Sequence, residues 1–145
     1  MSYFPNNMPR PEPTMDEAAF WNFCKERSLR FQSCVQCGTL RHPPIPMCHL
    51  CQSCEVNYRE VHTDAEVYSF TVVRHASHPA VAEKLPYVVA VVEFPTMPGV
   101  RLITNLTDIH PTQVRIGMQC TIWWDDIGEG MFIPRFRPIT KIATA

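Results

Sequence analysis

The sequence lacks the features of several large protein classes. No apolar run approaches the ~20 residues that a membrane-spanning helix needs. No hydrophobic signal segment precedes the first cysteines, so we expect a cytoplasmic protein. The chain has only three lysines, and 13 basic against 14 acidic side chains give a formal net charge of −1. Because affinity for nucleic acid comes mainly from neutralised phosphates, this balance disfavours a nucleic-acid-binding role.

The motifs of common catalytic sites are also absent. The sequence contains no G-x-S-x-G, no glycine-rich phosphate loop and no H-E-x-x-H. A thiol nucleophile needs activation by a base. Cys24, however, lies on an apolar helical stripe and Cys120 in an alternating apolar strand, where buried free cysteine is common. We therefore predict no catalytic residue in this chain and no activity of the chain alone.

The strongest positive signal is a set of four cysteines in two C-x2-C pairs. Cys34 and Cys37 stand in CVQCG, and Cys48 and Cys51 stand in CHLCQ. A C-x2-C turn directs two thiolates at one metal ion, and two such turns complete a tetrahedral zinc shell. Four sulfur ligands leave no open coordination position. The spacing thus predicts one structural zinc ion per chain and argues against a catalytic one.

Other interpretations of these cysteines are weaker. A disulfide framework requires an oxidising compartment, and a redox C-x2-C usually lies in a βαβ pattern, which this sequence does not show. Cys54 forms a further C-x2-C with Cys51 and stays open as an alternative ligand. We favour Cys48 with Cys51, because CVQC and CHLC are then two similar turns. His42 and His49 are possible ligands, but four thiolates already satisfy the ion.

Residues 1–29 are predicted to form an extended arm followed by a short helix. Four prolines in the first 13 residues favour an extended, partly disordered segment. Thr14 and Glu17 form a T-x-x-E capping box, and apolar residues then recur at helical spacing, which predicts a helix over residues 14–28. Trp21 lies off this apolar stripe. It is expected either to pack against the neighbouring module or to anchor another protein.

Residues 30–60 are expected to form a zinc ribbon, and residues 61–145 a β-barrel. The second segment contains five β-rich stretches, at residues 66–74, 86–94, 99–106, 115–124 and 130–139. The stretch PYVVAVVEF is apolar on both faces and should be a central strand. Pro134 and Pro138 should place the last stretch at an edge or make it leave the sheet. Five strands in about 75 residues fit a small closed barrel, of which the OB-fold is the common example.

Several separated motifs of this chain resemble those of one protein family. LRFQSCVQCG is followed by RHPP, the second cysteine pair, VYSFTVV, PYVVAVVEF, a strand ending in TNL, then VRIGM and PRFRP. This order resembles the zinc-ribbon plus OB-fold proteins catalogued as domain of unknown function 35 (DUF35), over about residues 14–138. Gln52 departs from the family, which more often has glycine after the second cysteine pair. The resemblance implies a mainly β chain with an N-terminal helix, a rubredoxin-like zinc ribbon and a five-stranded OB-fold barrel.

The resemblance also implies a function. Proteins of this family are typically small partners of thiolase-like enzymes, among them acetoacetyl-CoA thiolases, acyltransferases for phenolic substrates, steroid side-chain aldolases and thiolases of anaerobic aromatic degradation. The thiolase-fold subunit holds the catalytic residues. The small subunit completes the hetero-oligomer and can help shape a coenzyme A (CoA) channel. We therefore expect a non-catalytic accessory subunit, with the CoA thioester as a ligand shared by the complex.

Basic and aromatic side chains are the candidates for contacting CoA or the partner. Arginine pairs with phosphate groups such as those of CoA through a bidentate fork. Basic residues cluster around the long loop after the first barrel strand. Two arginines at i, i+2 in PRFRP should project to one face of the closing strand, with the phenylalanines on the other. Solvated surface charge is the alternative interpretation. The candidate set is Trp21, Arg74, His75, Lys84, Arg135, Phe136 and Arg137.

Two other functions are compatible with parts of the sequence. Zinc ribbons and OB-folds occur in nucleic-acid-binding proteins, and four aromatic residues offer stacking surfaces for bases: Tyr68, Phe70, Trp123 and Trp124. Such a groove, however, needs clustered lysine and arginine, whereas this chain has only three lysines and a negative net charge. An independent metalloenzyme would need an open zinc position. We therefore predict a catalytic protein subunit and an acyl-CoA as partners, and neither a nucleic acid nor a membrane.

Overall fold

The computed structural model describes residues 2–139. The helix is α1 (Ala18–Lys25), and the strands are β1 (Arg30–Cys34), β2 (Leu40–Arg41), β3 (Val56–Glu60), β4 (Ala65–Val73), β5 (Tyr87–Phe94), β6 (Met97–Leu106), β7 (Gln119–Asp126) and β8 (Phe132–Pro138). Among the described residues, no helix is long and apolar enough to cross a membrane. The first three strands form one sheet and the last five form a closed barrel. The expected fold class, mainly β with an N-terminal helix, is confirmed.

The N-terminal helix is shorter than the sequence pattern predicts. A 3-10 turn over Met15–Glu17 leads into α1. The predicted capping box is wrong, because the side chain of Thr14 makes no capping hydrogen bond. Instead, the backbone N–H of Glu17 donates to the carbonyl oxygen of Thr14 at 3.1 Å, so the 3-10 turn itself satisfies the group that the cap would have bonded. The buried face of α1 carries Phe20 and Cys24, as the helical spacing predicts.

The ribbon sheet has the strand order β2-β1-β3, with antiparallel pairing throughout. β1 pairs with β3 from Arg30 opposite Glu60 to Cys34 opposite Val56. Its pairing with β2 covers only two residues. Most side chains of β3 are exposed, whereas β1 is buried at four of its five positions and places Phe31 in the core. The two cysteine turns described below lie in the connections from β1 to β2 and from β2 to β3.

The barrel closes in the strand order β4-β5-β6-β8-β7. β5 pairs with both β4 and β6, so it is the central strand that its two apolar faces predict. The inward side chains of the strands pack into one continuous core with α1 and β1. Alternation in β7 places Cys120 in this core, with Ile122 and Trp124 packed against it, as predicted. The core residues of the strands include Val67, Val88, Ala90, Val92, Leu102, Leu106 and Phe136.

The closing strand β8 lies within the barrel and not at an edge, unlike the prediction from its prolines. It pairs antiparallel with β7 along its whole length, but it meets β6 only where Leu106 lies opposite Phe136. Proline lacks the N–H that a second ladder of hydrogen bonds would need. The hydroxyl of Thr104 donates to the carbonyl oxygen of Pro134 at 2.9 Å and so bridges part of the gap. The seam between β6 and β8 is therefore only partly paired.

Residues 2–10, called the arm below, run along the barrel surface. The backbone N–H of Tyr3 donates to both carboxylate oxygens of Asp125 at 3.2 Å. Phe4 is buried against the outer face of β5. The guanidinium group of Arg10 donates to two backbone carbonyls in the β7–β8 turn. The arm is thus an ordered part of the barrel surface, where the sequence predicted a partly disordered segment.

Candidate metal centre and surface groove

The four predicted metal ligands converge at one end of the ribbon. The Sγ atoms of Cys34, Cys37, Cys48 and Cys51 all lie within 4.8 Å of one another. Cys34 is 3.4 Å from Cys51, and Cys37 is 3.6 Å from Cys48. A tetrahedral zinc ion with Zn–S bonds of about 2.3 Å requires sulfur atoms roughly 3.8 Å apart. The cluster therefore fits one zinc ion with a closed shell of four sulfur ligands.

The two cysteine turns have the same backbone geometry, which explains how each ligand is positioned. The N–H of Gly38 donates to the carbonyl of Cys34 at 2.8 Å, and the N–H of Gln52 donates to that of Cys48 at 2.9 Å. Gly38 and Gln52 both have a positive φ, of 75° and 63°. Glycine adopts this conformation at little cost, whereas a side chain at Cβ makes it less favourable for glutamine. The turns are structurally equivalent although only one of them has glycine.

The pKa values of the thiols show that backbone N–H groups favour the thiolate at two of the four cysteines. Hydrogen bonds, led by the one from the backbone N–H of Cys37, lower the pKa of Cys34 to about 6. The pKa of Cys48 is also lowered, chiefly by the backbone N–H of Cys51. At Cys51 the N–H of Ser53 lowers the pKa, but desolvation and the neighbouring sulfur atoms raise it to about 12. Four thiolates this close repel one another, and zinc supplies the compensating charge when it is bound.

The other candidate ligands lie outside the cluster. Cys54 is exposed and is not among the four clustered thiols, which are the two pairs that the turn similarity favours. His49 is exposed in the second turn. His42 is half-buried, with its ring 4.8 Å from that of Phe20 and 5.1 Å from that of Phe31. Burial lowers the pKa of His42 to about 4, so the ring is neutral at pH 7. His42 therefore packs between the helix and the ribbon sheet.

A groove of about 680 Å³ crosses the outer face of the barrel. Its floor consists of outward side chains of β5 and β6, among them Val89, Val91 and Ile103. The outward face of an antiparallel barrel is normally polar, so this apolar row is unusual. The two walls are formed by Phe4 and Met8 of the arm, Phe20 and Trp21 of α1, and His42 and Pro43 of the ribbon. The groove thus lies where the arm, the helix, the ribbon and the barrel meet.

Arg135 lines the groove and forms a buried ion pair. Its Nε donates to Oδ2 of Asp125 at 2.6 Å, and its Nη1 donates to Oδ1 of Asn105 at 2.6 Å. The two charged side chains are only 7% and 1% exposed. The guanidinium carbon also lies 5.3 Å from the centre of the Tyr3 ring. Arg135 is therefore engaged within the chain and does not form an exposed basic rim with Arg137, which the i, i+2 spacing suggested.

The other predicted contact residues lie in different places. Trp21 lines the groove. Arg74 and His75 are exposed directly after β4, and Lys84 is exposed with its ammonium group 4.8 Å from the centre of the Tyr3 ring. Arg137 is exposed on β8. Phe136 is 1% exposed, because its position in the strand points it into the barrel, so it is a core residue and not a surface one.

The aromatic residues considered for base stacking do not share one exposed surface. Phe70 and Trp124 pack against the barrel core. The indole N–H of Trp123 donates to the hydroxyl of Thr107 at 2.8 Å, and the ring is partly buried. Tyr68 is the most exposed of the four, and the guanidinium of Arg101 lies 3.8 Å from its ring centre. The described part of the chain therefore does not assemble these rings into a stacking platform.

Family models match both modules of the chain. Residues 21–55 match the model described as ChsH2, rubredoxin-like zinc ribbon domain. Residues 58–125 match the model described as ChsH2, C-terminal OB-fold domain. The two matched segments correspond to the ribbon and to most of the barrel, and they leave the arm and β8 unmatched.

Two similar proteins are named as hydratase subunits. The probable enoyl-CoA hydratase alpha subunit of Thermomonospora curvata is 41% identical over 130 residues, which cover 90% of this chain and 40% of that protein. The 3-oxo-4,17-pregnadiene-20-carboxyl-CoA hydratase alpha subunit of Mycobacterium tuberculosis is 39% identical over 115 residues, which cover 79% of this chain and 35% of that protein. The chain spans well under half the length of these relatives.

Two further matches have a length closer to that of this chain. A DUF35 domain-containing scaffold protein of Methanocaldococcus jannaschii is 31% identical over 102 residues, which cover 68% of this chain and 70% of that protein. A chain of the solved structure titled Ltp2-ChsH2(DUF35) aldolase is 40% identical, with a TM-score of 0.80 over 89% of this chain and 98% of that chain. The resemblance seen in the sequence motifs is thus confirmed, and this chain belongs to the DUF35 family of zinc-ribbon and OB-fold proteins.

Proposed function

We propose that this chain is a non-catalytic accessory subunit of an enzyme complex that acts on CoA thioesters, and that its partner is a thiolase-fold catalytic subunit. The observation that carries the proposal is the match to nearly the whole of a chain in a structure titled as an Ltp2-ChsH2(DUF35) aldolase. Relatives named as alpha subunits of hydratases support the same role. Each of these relatives is named as part of an enzyme with more than one component.

The chemistry of the described residues supports a non-catalytic role. The closed sulfur cluster leaves no position at which zinc would bind a substrate or a water molecule. Outside the ribbon, Cys24 and Cys120 are fully buried, and burial raises the pKa of each to about 12. A thiol with such a pKa stays protonated at neutral pH, whereas the nucleophile is the thiolate. Neither buried thiol is therefore a nucleophile, and we assign the nucleophile of the reaction to the partner.

The accessory subunit would act by covering the partner's active-site cleft. A ribbon and barrel lying over that cleft would hold a bulky acyl-CoA in place and exclude water. Exclusion of water strengthens the electrostatic interactions that stabilise a reacting thioester. Trp21, Arg74, His75, Lys84 and Arg137 are proposed to contact CoA or the partner, since tryptophan and arginine are enriched at binding hot spots and cationic side chains pair with phosphate.

The test has two steps and uses the full chain. First, the tagged chain is recovered from its native extract and co-eluting proteins are identified by mass spectrometry; a thiolase-fold enzyme is the expected partner. Second, CoA-dependent cleavage or acyl transfer by the catalytic subunit is measured with and without this chain. We expect the rate to rise on addition of the wild-type chain or of Cys54→Ser, which leaves the metal cluster intact. A rate that does not change on addition would contradict the proposal.

A further inference from the structure

Two arginines are buried among the described residues, and only one of them has an acidic partner. Arg135 is paired with Asp125 at 2.6 Å. Arg41, at the end of β2, is 6% exposed and forms no ion pair with a carboxylate of the described residues. Its Nε donates to Oε1 of Gln32 at 2.5 Å, whereas both Nη atoms are buried without a hydrogen-bond partner. Because a guanidinium group stays charged when it is buried, Arg41 requires a negative charge nearby.

The register of the ribbon sheet places Arg41 next to the metal ligands. Arg41 lies opposite Gln32 in the pairing of β1 with β2. Side chains alternate along a strand, so Gln32 and Cys34 share one face of β1, with their Cα atoms roughly 7 Å apart. The N–H of Cys34 donates to the carbonyl oxygen of Thr39 at 2.9 Å, which continues the pairing into the first cysteine turn. The hydrogen bond to Gln32 therefore holds the Arg41 side chain on the face of the sheet that bears a metal ligand.

The carboxamide of Gln32 also links Arg41 to the second cysteine turn. Its Oε1 accepts a further hydrogen bond, at 3.0 Å, from the N–H of Ile45, three residues before Cys48. One buried oxygen atom thus joins β1, β2 and the segment that enters the second turn. Gln32 is only 3% exposed, so water does not compete for these bonds. The guanidinium group is therefore held at the point where the segments that carry the metal ligands meet.

The zinc–thiolate cluster is the negative group that suits Arg41. Four thiolates with one zinc ion carry a net charge of about −2, and Cys34 and Cys48 are buried. Arg41 is the only lysine or arginine between residues 31 and 58, and the only carboxylate in that segment belongs to the exposed Glu55. In the unfolded, metal-free chain the thiols are protonated and the guanidinium group is hydrated. The attraction between them therefore arises only in the folded, zinc-bound ribbon and favours that state.

We propose that Arg41 compensates the negative charge of the zinc–thiolate cluster and that Gln32 holds it in position for this role. Arg41 is not a ligand, because a guanidinium group has no free electron pair to offer a metal. It acts through space on the four sulfur atoms, so its loss weakens zinc binding and leaves the set of ligands unchanged. Partners outside the ligand shell typically change metal affinity by about 10–100-fold. This role does not depend on which enzyme subunit the chain accompanies.

The first measurement is the zinc affinity of the full chain at pH 7, by competition with a chromophoric chelator. Arg41→Met keeps a long side chain and removes the charge, and it should weaken zinc binding by about tenfold or more. Arg41→Lys keeps the charge and should stay within about threefold of the wild type. Arg59→Met is the matched control, since it makes the same charge change at an exposed position of β3 in the same sheet. It should leave the affinity unchanged within about twofold.

The second measurement separates charge from packing. With Co²⁺ in place of zinc, the sulfur-to-metal charge-transfer band reports the electron density on the thiolates. Loss of a nearby positive charge should move this band to longer wavelength in Arg41→Met, but not in Arg41→Lys or Arg59→Met. An unmoved band in Arg41→Met, or a zinc affinity within twofold of the wild type, would overturn the proposal. If Arg41→Met binds no metal at all, Arg41→Lys decides: near-normal affinity supports the charge role, and an equal loss refutes it.

Discussion

The ribbon and the barrel are stabilised by different means. Along β5 of the barrel, buried side chains alternate strictly with partly exposed ones, and the inward rows of all five strands meet in a single core. In the ribbon, by contrast, most of β3 is exposed, and large apolar side chains around the cysteine turns face solvent: Val35, Met47, Leu50 and Val56. Unlike β1, whose Phe31 joins the barrel core, β3 and the cysteine turns bury little apolar surface and need another source of stability. The comparison indicates that zinc maintains the ribbon and apolar packing maintains the barrel.

Removing one zinc ligand should produce the largest difference in stability between the ribbon and the barrel. Structural zinc supplies folding free energy on the order of 10 kcal/mol, so Cys48→Ser should lose the metal and unfold the ribbon while the barrel stays folded. Metal analysis and amide hydrogen exchange check this: protection should disappear in β1 and β3 and remain in β5 and β6. Cys54→Ser is the matched control and should keep zinc. A Cys48→Ser protein that retains both its zinc and the exchange protection of its ribbon would contradict the claim that zinc maintains the ribbon.

Breaking the buried ion pair should destabilise the barrel and leave the ribbon's metal untouched. Asp125→Ala leaves the Arg135 guanidinium buried without its partner, which costs about 3–5 kcal/mol, and it also removes the acceptor of the Tyr3 N–H. Urea denaturation should show the loss of stability, and amide exchange should show release of the arm. Zinc content should stay at one per chain. The neighbouring exposed Asp126→Ala is the control; an equal loss of stability there would contradict the role assigned to Asp125.

Truncating the barrel core should have a somewhat smaller effect of the same kind. Leu106 is 1% exposed and lies opposite both β5 and β8. Leu106→Ala should lower the free energy of unfolding by about 2–5 kcal/mol through the cavity that it leaves, again without loss of zinc. Ile103→Ala, on the exposed side of the same strand, should change it by only about 0.5 kcal/mol. Similar values for the two variants in urea denaturation would argue against a packed barrel interior.

The smallest predicted effect concerns His42, at the junction of the two regions. Burial lowers its pKa to about 4 in the folded chain, so between pH 6.5 and 4 the unfolded chain binds a proton that the folded chain does not. The free energy of unfolding is therefore highest, with respect to this histidine, above pH 6.5, and it decreases as the pH falls toward 4. Between pH 7 and pH 5 the loss is about 2 kcal/mol.

His42→Phe is the comparison that isolates this effect. It keeps an aromatic ring beside Phe20 and Phe31 and removes the titrating group. The stability of wild type relative to His42→Phe should fall as the pH falls from 7 to 5. A comparison between the two proteins cancels the effect of acid on the zinc thiolates, which both share. If their stabilities have the same pH dependence, or if the wild-type ring titrates near 6.5 by NMR, His42 is not desolvated as described.

Local patterns predicted the metal ligands and the barrel strands because both obey short-range rules. The C-x2-C spacing, together with the similarity of CVQC and CHLC, selects the four cysteines whose Sγ atoms cluster, and strand periodicity places Cys120 in the core. The predicted capping box does not form although Thr14 and Glu17 have the right spacing. The N–H of Glu17, which the Thr14 side chain would have bonded, donates to the carbonyl oxygen of Thr14 in a 3-10 turn instead. A local rule is thus reliable only where no neighbouring backbone group competes for the same partner.

The groove and the arm depend on contacts that no local pattern encodes. Tyr3 and Asp125 are 122 positions apart, so nothing near either residue predicts their hydrogen bond. The i, i+2 rule places Arg135 on the outside of its strand, but it does not show that Asp125 and the arm cover it. The second apolar face of β5 was visible in the sequence and was interpreted as a sign of a central strand. The same face also forms the groove floor, which only the packing of α1 and the arm reveals.

The central claim is that four cysteines close the metal site, so that the reaction belongs to the partner. X-ray absorption at the zinc edge of freshly purified chain tests it most directly. The predicted result is one zinc ion per chain with four sulfur neighbours at about 2.3 Å and no lighter ligand. A shell in which oxygen or nitrogen replaces one sulfur would reveal an open coordination position and contradict the claim.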